Sequence, residues 1–240
     1  MRLPHDYSDH YAEWTRLLDD QRLTEADQSY FEQILPAILP VIRTRSQVGS
    51  RYKGLVSLLG FTPETVVLAS RLLEPEKIAV LHTPETERHL ETVTKYCGVP
   101  LGQFYHEEFL HDREHISDIY LALKRSLGRF TSGEPIAIEL TGGKKTMGMQ
   151  LANAAAALRH NAGLDVDVVY IDYDEYLPRY RKPVPETSRL LILEDPPADG
   201  VLAASVHKAD FPHDRRPRRR HQRATEGTVW PEEGRFRLAR

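Results

Sequence analysis

The segment Thr141-Gly142-Gly143-Lys144-Lys145 follows an apolar run with Ile136, Ile138 and Leu140, and precedes Met147, Leu151, Ala154, Ala155 and Leu158 at helical spacing. Such an order describes a strand, a glycine turn and the opening of a helix near Lys144. Its chemistry is that of an anion cradle. Glycines lack Cβ and accept φ > 0, so a ligand can approach the backbone closely. The first N–H groups of the helix and the positive end of its dipole face the loop. Thr141 adds a hydroxyl, and Lys144 and Lys145 add charge. Lysines in a first helical turn oppose the dipole unless an anion compensates them, which favours bound phosphate over a merely tight turn.

Two well-known phosphate motifs are excluded. A Walker loop requires glycine before its Lys-Ser/Thr pair, and Lys144 stands before Lys145-Thr146. The dinucleotide fingerprint Gly-x-Gly-x-x-Gly is missing too, because Gly142 and Gly143 are adjacent and the next glycine is Gly148. The segment instead resembles the Thr-Gly-Gly-Thr-Lys-x-Met signature of CARF domains, the CRISPR-associated Rossmann-fold sensors. Thr141, Gly142, Gly143, Lys145 and Met147 match position by position, and Lys144 replaces the commoner threonine.

The elements that must position this loop read as alternating strands and helices. Gly54 to Leu59 forms a first strand, followed by Gly60-Phe61-Thr62-Pro63-Glu64, where Thr62 suits a cap and Pro63 a first helical position. A second strand, Lys77 to Leu81, runs into His82-Thr83-Pro84-Glu85-Thr86 and a helix through Leu90, Val93 and Tyr96. Phe104 to Glu107 reads as a short edge strand, and Ile116, Ile119, Tyr120, Leu123 and Leu127 as an amphipathic helix. Val166 to Asp172 follows the cradle helix, and Arg189 to Leu193 closes the sheet as an antiparallel edge. The fold class is therefore α/β: a Rossmann-like, mostly parallel sheet with helices on both faces. Ligands of such sheets bind at the carboxyl ends of the strands, which brings together the Phe61-Thr62, His82-Thr83 and Thr141 to Lys145 loops.

Residues 1–50 read as an N-terminal helical arm. Thr24 and Asp27 suggest a helix cap, and the apolar stripe Tyr30, Phe31, Ile34, Leu35, Ile38 is broken at Pro36 and Pro40. Residues 51–195 carry the α/β domain. Residues 196–240 form a linker and a basic tail centred on Arg215 to Arg223. Phosphate neutralisation by that tail would bind nucleic acid, although no aromatic interleaving accompanies it. Arg216 and His221 have the Arg-x-x-x-x-His spacing of HEPN ribonucleases, but Pro217 lies inside it.

A chain of 240 residues, 40% hydrophobic with a formal charge of -3, has room for one substantial domain with appendages. No apolar run approaches the roughly 20 residues of a membrane span, so the expected setting is cytoplasmic, without membrane contact. Cys97 is the only cysteine, which excludes an internal disulfide and a cysteine-based zinc site. Glu139, Asp172 and Asp174 fit no metal motif and read as solvated strand-end carboxylates.

The CARF resemblance covers roughly Tyr52 to Asp195 and implies a homodimer whose paired loops bind cyclic oligoadenylate, the second messenger of type III CRISPR systems, without cofactor or metal. It implies phosphate contacts from Gly142, Gly143 and Lys145, with Phe61, Thr62, His82, Thr83, Thr141 and Lys144 placed on phosphate, ribose or adenine. Tyr105 is a second adenine-stacking candidate. The effector domains usual in the family are not recognisable. Three functions remain open: a sensor or regulator of antiviral defence, most simply for cyclic tetra-adenylate; a stand-alone ring nuclease using Lys145, Thr141 and His82; and a ligand-responsive nucleic-acid-binding regulator.

Overall fold

A computed structural model describes residues 3–46, 51–110, 118–162, 164–180 and 182–193. Helices α1 (Tyr7–Asp19) and α2 (Leu23–Ser29) lead into a widened π turn (Tyr30–Ile34) and α3 (Leu35–Ser46). Then follow β1 (Gly54–Leu58), α4 (Pro63–Leu73), β2 (Lys77–His82), α5 (Leu90–Tyr96), β3 (Phe104–Glu108) and α6 (Asp118–Leu127). The second half holds β4 (Ile136–Glu139), α7 (Lys145–Ala162), β5 (Val166–Tyr173), a small hairpin of β6 (Tyr176–Leu177) and β7 (Lys182–Pro183), and β8 (Ser188–Leu193).

The main sheet runs β3-β2-β1-β4-β5-β8, parallel throughout except that β8 is antiparallel to β5. Because side chains alternate across a strand, each strand feeds two cores. Leu55, Ile78, Val80, Ala137 and Val169 join α1 to α5 through Trp14, Ile34, Ile38, Val67 and Val93. Val56, Leu58, Ala79, Leu81 and Ile138 join α6 and α7 through Ile119, Leu123 and Leu151. Burial on both faces explains why β1 and β4 read as continuous apolar runs.

The N-terminal helices depart from the sequence reading twice. Pro36 and Pro40 do not break the stripe: α3 runs through both, and Ile38, Leu39, Val41 and Ile42 are buried along it. The π turn before α3 relaxes the ring clash that Pro36 would impose on the preceding turn. Proline costs a helix interior about 3 kcal/mol, and burying each of these side chains recovers about 1.5–3 kcal/mol. The second departure is the cap. Helix α2 already starts at Leu23, with Arg22 in the cap position and no side-chain cap bond. Asp27 turns instead toward Lys182, 3.7 Å away.

Ile116, the arginine-rich segment and every residue from 194 onward lie outside the described residues. Cys97 caps the end of α5 and is buried, as expected of a small core residue. Among the described residues no helix is long and apolar enough to cross a membrane.

Candidate functional site

Strands β1 and β4 are parallel neighbours, yet α4 leaves β1 for one face of the sheet and α7 leaves β4 for the other. Their loops diverge, and such a switch point opens a crevice at the carboxyl edge. Glycine holds the two loops against each other. A Cβ on Gly142 would lie 1.8 Å from the Leu58 carbonyl oxygen, and one on Gly60 would lie 2.4 Å from the Gly143 nitrogen. Gly143 has φ +76°, which side-chain-bearing residues adopt only with strain.

Thr141 is fixed from two sides. Its N–H donates to Glu139 Oε1 at 2.5 Å, and its Oγ1 accepts from the Ile171 N–H at 2.7 Å, tying the end of β4 to β5. The hydroxyl proton of Thr141 goes to the Glu139 carboxylate, so the side chain fixes the loop at the cleft wall. Glu139, read from sequence as solvated, is fully buried, and Ser57 Oγ donates to its other oxygen at 2.6 Å. Desolvation pushes this carboxyl above its ordinary range, while the bonds from Ser57 and Thr141 pull the other way. Helix α7 opens at Lys145, and the Lys144 carbonyl accepts from the N–H groups of Met147 and Gly148 at 2.9 and 3.2 Å.

The crevice is a cleft of about 510 Å³. Gly60, Phe61, Thr62 and Thr65 line it from the β1–α4 loop, Thr83 to Thr86 from the loop after β2, and Thr141, Gly142, Gly143, Lys144 and Met147 from the cradle. Leu110, Tyr173, Tyr176 and Pro183 complete the wall. All three loops expected from the strand order thus meet in one place. Thr62 is the cap residue of α4 with Pro63 at the first position, though its side chain makes no cap bond. Its hydroxyl is not spent on the helix.

Three expected residues lie elsewhere. Lys145 lines an adjoining hollow of about 290 Å³ with Gly148, Met149 and Tyr170, sharing Thr141 to Lys144 with the main cleft. His82 is only 1% exposed and does not line either space. As the last residue of β2, paired with Glu108 of β3, it is held between strands: its Nε2 lies 3.2 Å from His106 Nδ1. Tyr105 packs from β3 against the α6 and α7 core, with the Arg129 guanidinium 5.5 Å from its ring centre. Phe61, in contrast, is 65% exposed at the cleft, with the Arg88 guanidinium 5.8 Å from its ring.

Two features escaped the sequence reading. Glu85 faces the cleft, and a bond from the Thr83 hydroxyl, with the Lys144 charge in support, holds its carboxyl below the ordinary range. Tyr173 and Tyr176 form the aromatic wall. Tyr173 ends a parallel strand and was findable by the strand-end rule, whereas Tyr176 depends on a hairpin too short to leave a periodic signal. Asp172 and Asp174 pair with Arg189, at 2.5 and 3.3 Å. Among the described residues no three His, Cys, Asp or Glu side chains come together as a metal site.

No protein-family model matches the sequence. Over 189 residues the chain is 33% identical to the CRISPR system endoribonuclease Csm6 of Thermus thermophilus, a match covering 77% of this chain and 39% of that protein. The chain therefore spans well under half the length of this relative. Among solved structures, Can2 of Sulfobacillus thermosulfidooxidans in complex with cyclic tetra-adenylate overlaps 54% of this chain and 35% of its own, at 18% identity and a TM-score of 0.39. An O-methyltransferase family protein of Burkholderia thailandensis overlaps 65% of this chain and 44% of its own, at 12% identity and a TM-score of 0.32. Overlaps this loose carry no weight in the assignment. The relation to Csm6 and the position-by-position match of Thr141, Gly142, Gly143, Lys145 and Met147 do carry it, and the chain belongs to the CARF, or CRISPR-associated Rossmann fold, family.

Proposed function

We propose that the chain binds cyclic oligoadenylate, with cyclic tetra-adenylate as the preferred ring, and acts as a sensor or regulator in type III CRISPR antiviral defence. The observation that supports this reading is the glycine-clamped loop Thr141 to Lys144 forming one wall of the cleft at the sheet's switch point. Backbone and lysine on that wall suit phosphate, the Thr62 and Thr83 hydroxyls suit ribose, and the exposed Phe61 ring suits a base. A ring of like nucleotides is served by two copies facing across a two-fold axis, each offering the same loops to half of it. Lys145 contributes its charge from the adjoining hollow. Titration of the full chain with cyclic oligoadenylates of several ring sizes, beside the linear tetramer, tests the assignment. Saturable binding of one ring size, accompanied by a dimer in solution, is expected; equal binding of the linear form would overturn it.

A second reading, metal-independent ring cleavage, is favoured by Lys144 sharing the cleft with Thr83 and Thr141. A ribose 2'-hydroxyl held in line would attack its own 3'-phosphate, expel the neighbouring 5'-oxygen and leave a 2',3'-cyclic phosphate. Lys144 would stabilise the charge that develops on phosphorus-bound oxygen. His82, held between β2 and β3, has no part in this step. Linear products appearing on chromatography after incubation identify the nuclease, and unchanged ring identifies the sensor. Nucleic-acid binding by the tail is a third reading, tested by whether salt-sensitive RNA binding is lost on deleting residues 207–240.

A further inference from the structure

We infer that Tyr173 and Tyr176 form a stacking platform for a purine base, an aromatic contact for the nucleobase additional to the Phe61 ring. This rests on the phosphate-binding role of the cradle and adds a second base contact to it. The two rings stand 5.5 Å apart at an interplanar angle of 23°, and both line the cleft. Neither belongs to the two apolar cores, and Tyr176 is 42% exposed. Their hydroxyls have no hydrogen-bond partner among the described residues. Tyr7, Tyr52, Tyr96 and Tyr180 differ, since each donates its hydroxyl to a carboxylate. A stacked pair that serves neither core nor network has a free aromatic face to offer a ligand.

The platform is also held in place beforehand. Arg189 pairs with Asp172 and Asp174 on either side of Tyr173. The Glu175 N–H donates to Thr187 Oγ1 at 3.2 Å, and the Val184 N–H to the Glu175 carbonyl at 3.0 Å. The connection from β5 to β6 is thereby tied down on both flanks, so little ordering remains to oppose binding. Stacking accepts any base, but the larger purine π-face gains more from it. Phosphate on the cradle and a purine on the tyrosines describe a purine nucleotide unit.

Calorimetric titration of the full chain with cyclic tetra-adenylate, 5'-AMP and ribose 5-phosphate tests this. Tyr176→Leu is expected to weaken cyclic tetra-adenylate and 5'-AMP by about tenfold or more, with ribose 5-phosphate unchanged. Tyr176→Phe keeps the ring and should retain wild-type affinity, which separates stacking from loss of the hydroxyl. Lys144→Ala should weaken all three ligands. Tyr176→Leu and the Tyr173→Leu, Tyr176→Leu pair binding within about twofold of wild type would overturn the platform. If the wild type ignores cyclic tetra-adenylate but prefers 5'-AMP to ribose 5-phosphate, and Tyr176→Leu removes that preference, the platform stands and the ring assignment fails. Binding of none of the three overturns both.

Discussion

Gly142→Ala provides a stringent probe of how the cleft is built. The added Cβ would meet the Leu58 carbonyl oxygen at 1.8 Å and the Gly60 nitrogen at 2.8 Å. Comfortable contacts lie near 3.5 Å, so the loops after β1 and β4 would have to part by more than about 1 Å. Both opposing atoms are backbone, and no rotamer change relieves them. Overpacking usually costs about 1–3 kcal/mol, and this site should lie at or above the upper end. Two other glycines calibrate the result. Gly133 also has a positive φ, +82°, but its Cβ would meet nothing within 4 Å, so Gly133→Ala bears backbone strain alone, about 1–2 kcal/mol. Gly102 has neither constraint, and Gly102→Ala should be neutral or slightly stabilising, by at most about 1 kcal/mol. Equilibrium urea unfolding of the three variants measures the series directly. Gly142→Ala should be the least stable by a clear margin and should lose nucleotide binding in whatever fraction remains folded. Equal midpoints for Gly142→Ala and Gly133→Ala would refute the clamped-loop account.

Burial raises the folded-state pKa of Glu139 above the ordinary 4.5, so as pH rises through that value the unfolded chain ionises first and stability falls until the folded-state pKa is passed. Glu139→Gln lacks this titration, so its stability relative to wild type should rise with pH from 4.5 upward; parallel unfolding profiles would rule out the effect. Lys182 is hydrogen-bonded to buried Glu64 and lies near Asp27, so Lys182→Met should destabilise by about 3–5 kcal/mol by leaving those carboxylates uncompensated. Thermal unfolding of Lys182→Met beside the Lys182→Met, Glu64→Gln pair checks this, with partial recovery expected in the double variant. Lys144→Ala should reduce the salt dependence of ligand binding by about one phosphate contact, read as the slope of log affinity against log salt.

Much of the arrangement was legible in the residues. Apolar runs ending in Gly-Phe-Thr-Pro, His-Thr-Pro and Thr-Gly-Gly marked three strand ends, and parallel topology forces such ends to one edge of a sheet. Which lysine enters the cleft was not legible, because it depends on where the helix starts: Lys144 still belongs to the glycine turn, and α7 opens only at Lys145. Lys144 consequently lines both the main cleft and the adjoining hollow, while Lys145 lines the hollow alone. The withdrawal of His82 depended on the register between β2 and β3, which brings His106 within 3.2 Å. Glu139 looked like a solvated carboxylate because nothing local announces Ser57, a cross-strand partner 82 residues away in sequence. Pro36 and Pro40 misled for a related reason: local helix cost was visible, and the burial that outweighs it was not.

The central claim is that the Thr141 to Lys145 loop holds the phosphates of a cyclic oligoadenylate. Isothermal titration of cyclic tetra-adenylate into the wild-type chain and into the Lys144→Ala, Lys145→Ala variant, at one fixed salt concentration, tests it most directly. Saturable binding to the wild type, weakened at least about tenfold in a variant that remains folded, is the expected result. Absence of heat in the wild type, or equal affinity in both chains, contradicts the claim.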